Sequence, residues 1–122
     1  MLSGQLSYPY NVMPHDMSYL SNWQLSRISQ EVVLSPQRRV VLLDVGGLKD
    51  IPMHEHNRNI YCVGTSGEVV WQVRAEDSTH ERDSFVSLYV DRDGQLRADR
   101  FFGNELLLDP IAGIAEHVGW HK

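Results

Sequence analysis

Two histidines, His54 and His56, stand two residues apart in the segment "PMHEHNRN". On an extended chain, residues at i and i+2 point the same way, so two imidazoles at this spacing can share a metal. Glu55, Asp50 or His80 would have to complete the ligand set. A structural zinc site usually draws on Cys/His pairs, and the chain has one cysteine, Cys62. Two exposed loop histidines are the simpler expectation. A metal-dependent enzyme using His54 and His56 stands as an alternative, and no cofactor is expected.

The remaining reactive residue types are weaker starting points. "DRDG", residues 91–94, lacks the alternating carboxylates and distal Glu of a calcium loop; an Asp-Gly hairpin turn explains it. Cys62 lies in phase with Ile60 inside an apolar run, where cysteine acts as a small buried hydrophobe. Ser66 in "GTSGE" sits between two strand-like runs, not between strand and helix, so it is no hydrolase elbow. "VGG" at 45–47 lacks the Lys and the following helix of a phosphate loop. Asp91, Asp93, Asp99 and Asp109 are close in sequence, but three of them flank turns, where Asp bonds its own backbone. No catalytic residue is assigned, and the chain is expected not to be an enzyme.

The strongest binding candidate is "RAEDSTHERD", residues 74–83. It places Glu76, Asp77, Glu81 and Asp83 on one connection between strands. Such carboxylates can form charge-assisted pairs with a basic protein surface. The wider charge distribution agrees. Residues 1–58 hold five Lys/Arg and five Asp/Glu, while residues 59–122 hold six against eleven, which is the whole net charge of −5. That field repels nucleic acid, and Arg92, Arg97 and Arg100 are interleaved with Asp91, Asp93 and Asp99.

These residues are positioned by strands. At 122 residues, with 42% hydrophobic and 22% charged side chains, the chain reads as one globular domain, 1–122. It holds no apolar run long enough to span a membrane and no signal-peptide pattern; with one cysteine, a cytoplasmic, bacterial-type compartment is expected. Leu6, Tyr8, Tyr10 and Val12 alternate with polar residues as a strand, and Pro9 places it at an edge. Residues 16–24 predict a short helix capped by Asp16. "RVVLLDV" is apolar on both faces from Val40 to Leu43, a central strand covered on both sides. "GGLKDIPMHEHNRN" reads as a long loop. Val69, Trp71 and Val73 share one strand face; Val86, Leu88 and Val90 share another, with Phe85 and Tyr89 opposite. Turn signals recur about every ten residues, the spacing of an antiparallel meander. The expected fold is all-β: one curved antiparallel sheet of seven or eight strands.

An internal repeat emerges from this parsing. "NIYCVGTSGEVVWQV", residues 59–73, aligns with "NELLLDPIAGIAEHV", residues 104–118, each turning at a Gly (Gly67, Gly113) between two apolar strands. Together, residues 59–120 resemble the quinoprotein-type (PQQ-like) β-propeller blade repeat. Trp71 matches the Trp of that repeat, and Asp109, Pro110 and Gly113 match its turn; Trp120 falls too late. One and a half copies cannot close a ring, so neither ring nor cofactor carries over. The resemblance implies a twisted antiparallel sheet of about four strands.

Three function classes follow. The first is a non-enzymatic protein-binding module. Its sharpest form resembles the small bacterial toxin-immunity proteins in size, charge and fold type, and would neutralise a basic toxin domain through Glu76, Asp77, Glu81 and Asp83. The second is a structural or assembly subunit that pairs through sheet edges, for example as a homodimer. The third is the metal enzyme of His54 and His56. Neither a nucleic acid nor a membrane is an expected partner.

Overall fold

A computed structural model describes residues 18–120. The expected strand at 6–12 with its edge Pro9, and the Asp16 cap, lie outside the described residues. Eight antiparallel strands form two four-stranded meanders. The first sheet contains β1 (Ile28–Ser35), β2 (Arg38–Leu43), β3 (Ile60–Gly64) and β4 (Val69–Gln72). The second contains β5 (Phe85–Val90), β6 (Leu96–Arg100), β7 (Asn104–Leu108) and β8 (Ala115–Trp120). The all-β antiparallel architecture expected from the turn spacing is present, divided into two sheets rather than one. The two repeat segments fall on β3–β4 and β7–β8, the third and fourth strands of each sheet.

Two one-turn helices interrupt the strands. The helix expected at 16–24 is displaced to α1 (Asn22–Leu25). Tyr19 instead bridges Glu68, and the Ser18 carbonyl accepts the Val69 amide at 2.8 Å. The edge of β4 thus claims backbone groups that a helix would have used. Gln24 Oε1 then accepts the Ser21 amide at 2.7 Å, half of a capping box. The 46–59 loop contains α2 (Met53–His56), where the Pro52 carbonyl accepts both the Glu55 and His56 amides at 3.0 Å.

Val40 to Leu43 are buried, as a strand covered on both faces must be. Val40 and Leu42 face the core between the sheets, with Ile60, Cys62, Trp71, Phe85, Leu88 and Leu106. Val41 and Leu43 face an outer layer with Leu20, Tyr61 and Val63, covered by Ile28, Leu48 and Ile51. The second sheet has one covered face, and β6 alternates accordingly: Leu96, Ala98 and Arg100 are buried, Arg97 and Asp99 less so.

Two face assignments from alternation are corrected, both by β-bulges. Cys62 pairs with Trp71 but Val63 pairs with Val69, which leaves Val70 as an extra residue. Trp71 and Val73 therefore reach the core while Val69 packs in the outer layer. In β5 the register shifts between Phe85 and Ser87. Phe85 and Leu88 both turn inward, and Val86 is exposed. The interrupted ladder is completed by a side chain: Gln30 Nε2 donates to the Val86 carbonyl at 3.1 Å, and Gln30 Oε1 accepts the Leu88 amide at 2.8 Å. This ties β1 of one sheet to β5 of the other.

At the opposite side the sheets meet through Arg74 and Ile114, a single parallel bridge. Trp71 packs on the turn before β8 and donates Nε1 to the Pro110 carbonyl at 3.0 Å. Gly113 in that turn has φ +77°, and a Cβ there would overlap the Trp71 indole. Gly113→Ala is expected to cost about 2–4 kcal/mol, from left-handed strain plus overpacking, read from urea unfolding. Tyr61 gives a second test. Burial, reinforced by the Glu55 charge, pushes its phenol up to about 12 from 10.0, against the Gln24 hydrogen bond. The neutral phenol is the form the fold favours, so its stabilisation is complete below pH 10.0 and is lost as pH rises towards 12. Spectrophotometric titration should find one tyrosine ionising together with loss of structure in that window, and Tyr61→Phe should flatten the dependence.

Candidate functional site

The 74–83 connection is pinned to the first sheet by two asparagines that follow α2. Asn57 Nδ2 donates to the Glu81 carbonyl and Asn57 Oδ1 accepts the Asp83 amide, both at 2.8 Å. Asn59, fully buried, donates Nδ2 to the Leu43 carbonyl at 2.7 Å and the Phe85 carbonyl at 2.9 Å. Its Oδ1 accepts the Phe85 amide at 2.9 Å. A side-chain amide thus stands in for a strand neighbour at the start of β5. The sequence signal was present in "NRN", but only tertiary contacts show what the two amides grip.

Glu76, Asp77 and Glu81 are exposed on this connection. Asp83 is not: its relative exposure is 0%. It is removed from the expected partner-facing set, because its carboxylate holds the connection together. Oδ2 accepts Ser78 Oγ at 2.5 Å and Oδ1 accepts the Phe102 amide at 2.9 Å. The Asp77 carboxylate lies 3.6 Å from Arg58; with Asp77 almost wholly solvated, that ion pair contributes little.

Aromatic residues adjoin this connection, which sequence reasoning missed. His80 stacks on Phe102 with centroids 3.9 Å apart, and Phe101 meets Phe102 edge-on at 5.1 Å. Trp120 donates Nε1 to the Phe102 carbonyl at 3.0 Å. Phe101 is 66% exposed and Trp120 58%. Gly103 has positive φ in the turn that follows these two phenylalanines, and both rings are exposed.

The two histidines of the metal alternative are separated by α2. Residues at i and i+2 on a helical turn diverge, so His54 is exposed while His56 is buried with Nδ1 2.9 Å from Asn57 Oδ1. Among the described residues, no group of three or more His, Cys, Asp or Glu is placed to hold a metal. Cys62 is buried, and desolvation raises its thiol against the pull of Arg38. Asp91 is committed to its own turn. Its Oδ1 accepts the Asp93 and Gln95 amides and its Oδ2 accepts Arg97 Nε at 2.6 Å. These bonds, that from the Gln95 amide first, hold its carboxyl below the usual range. Among the described residues, no helix is long and apolar enough to cross a membrane.

β1 and β2 of the first sheet meet β5 of the second. An open groove of about 1420 Å³ lies between residues 74–79 and β6–β8. Its walls include Leu106, Leu108 and Ile114, and three arginines, Arg58, Arg74 and Arg100, line it.

With this geometry in view, the span from α1 to the end of β8 coincides with a known unit. Residues 23–120 match a family model described as a domain of unknown function, DUF7957. The chain belongs to the DUF7957 family. No curated protein and no solved structure matches it. The matched span of this DUF7957 domain takes in all eight strands, the groove and the aromatic cluster.

The division of labour within the acidic connection can be measured. In this DUF7957 domain, Asp83→Ala should cost about 1–3 kcal/mol in denaturant unfolding, because it removes the buried carboxylate that accepts the Ser78 hydroxyl and the Phe102 amide. Glu81→Ala should change stability by less than about 0.5 kcal/mol.

Proposed function

We propose that this DUF7957 domain is a non-enzymatic protein-binding module whose partner presents a basic surface. The observation that carries the reading is an aromatic cluster of His80, Phe101, Phe102 and Trp120 anchored on the same connection that bears the exposed carboxylates of Glu76, Asp77 and Glu81. Large exposed rings give an interface its desolvated anchors, and flanking charges steer and orient the partner. Phe and Trp faces also attract Lys and Arg side chains directly. A basic toxin domain, neutralised by this chain as an immunity protein, is the partner class that suits a small acidic module.

The commitments of the reactive groups favour binding over chemistry. The Cys62 thiol is buried, His56 is held by Asn57, and Asp91 closes a turn. Assembly through sheet edges is a less favoured use. Gln30 already joins β1 to β5, and β4 is bridged by Tyr19 at its start, with Arg74 just beyond its end.

The test is affinity capture from native extract with the wild-type domain and with a triple Glu76→Lys, Asp77→Lys, Glu81→Lys variant. Proteins retained by wild type and lost with the variant should be basic, and their retention should fall as salt rises. Phe101→Ala should weaken the same interaction about tenfold or more without unfolding the domain. Retention of the same proteins by the charge-reversed variant would sink the assignment.

A further inference from the structure

A buried cation in the groove is under-committed. Arg100 is 6% exposed, and its guanidinium lies 4.9 Å from the centre of the Phe85 ring. Among the described residues, its one hydrogen bond runs from Nη1 to the Glu76 carbonyl at 3.1 Å, and its buried Nε has no hydrogen-bond partner. Of the five N–H donors of this guanidinium, one is spent on Glu76 and the one on Nε is orphaned. Among the described residues, no carboxylate forms an ion pair with it within 4.0 Å. Asp83 and Asp77 act on it only at longer range, and Arg58 opposes them; burial pulls the guanidinium below its ordinary value. A buried charge left in this condition is costly unless something pairs with it.

The groove defines what that something is. Arg100 ends β6, and Leu96 begins it, both on the inner face. Four strand steps at roughly 3.3 Å each separate them, about 13 Å. Leu106 and Leu108 of β7, like Leu96 nearly buried in the core, floor the groove, and Ile114, half exposed, lines it as well. The site therefore couples a cationic end to an apolar trough. Glu76, Asp77, Asp109 and Glu116 also line the groove and disfavour a multiply charged anion such as phosphate. We infer that the groove binds a small organic monocarboxylate with an extended apolar body, its carboxylate paired with Arg100 and its body lying along Leu96, Leu106, Leu108 and Ile114. A carboxylate is the planar, singly charged partner that a guanidinium without an ion pair lacks. Glu76 and Asp77 border both this groove and the acidic face, but the two assignments are read with different probes, so either can fail without the other.

Three probes separate its components: decanoate, decanol and inorganic phosphate, each titrated into the full chain and followed by calorimetry and amide chemical shifts. Decanoate should bind at least about tenfold more tightly than decanol, which lacks the charge, and than phosphate, which lacks the chain. Shifts should concentrate on residues 96–108 and 113–115. Arg100→Gln should bring decanoate down to the affinity of decanol. Because that variant removes a buried group and its fold is at risk, Ile114→Asp is the companion. It places a carboxylate on the exposed wall and should weaken decanoate about tenfold or more in a folded protein. Equal binding of decanoate and decanol, stronger binding of phosphate, or full decanoate affinity in Ile114→Asp would each overturn the inference.

Discussion

The buried amide of Asn59 is the constraint on which the two-sheet arrangement rests. One side chain satisfies the carbonyl at the end of β2 and both backbone groups of Phe85 at the start of β5. No water reaches this site to replace those bonds, so each unmade bond would cost on the order of 1–3 kcal/mol. With Phe85 fixed, its ring enters the core and β5 begins at a set height against the first sheet. Asn57 and Asp83 extend the same grip outward, to the residues that carry the exposed carboxylates.

The sheets are tied at two sides. Gln30 ties β1 to β5 through a bulge, while the far side is held by the single Arg74–Ile114 bridge and by Trp71 under the Pro110 turn. The groove lies between residues 74–79 and β6–β8. Arg100 sits at its edge because β6 alternates strictly, and the inner position after Leu96 and Ala98 falls on an arginine. On an isolated strand that residue would be a misplaced charge. In the folded chain it is a buried cation beside the leucines that floor a groove whose rim is charged.

Much of the fold was legible because strand periodicity is a local signal. The turn spacing gave eight strands where seven or eight were expected, and the double-sided run at Val40–Leu43 correctly marked a central strand. The face assignments of Val69 and Phe85 went the other way, since one bulge residue reverses every side chain beyond it and leaves no mark in composition. The helix near residue 20 moved because Ser18 and Tyr19 are held by β4, some fifty residues away in the chain. Three of the four carboxylates proposed for a partner are exposed, and the fourth, Asp83, is internal. Sequence does not separate them, because all four lie in one polar stretch and only the approach of Ser78 and Phe102 singles one out.

By itself the sequence determined the class of fold and the chemistry available. Alternation and turn residues act over a few neighbours, and charge is a sum that needs no coordinates. Tertiary structure alone decided which groups are spent and which are free. His54 and His56 are divided by a helical turn, Asp83 is consumed by the fold, and Arg100 is buried with donors to spare. Those outcomes depend on contacts between residues far apart in the chain. A polar side chain is bound or idle according to what folding brings within hydrogen-bond reach, not according to its neighbours in sequence.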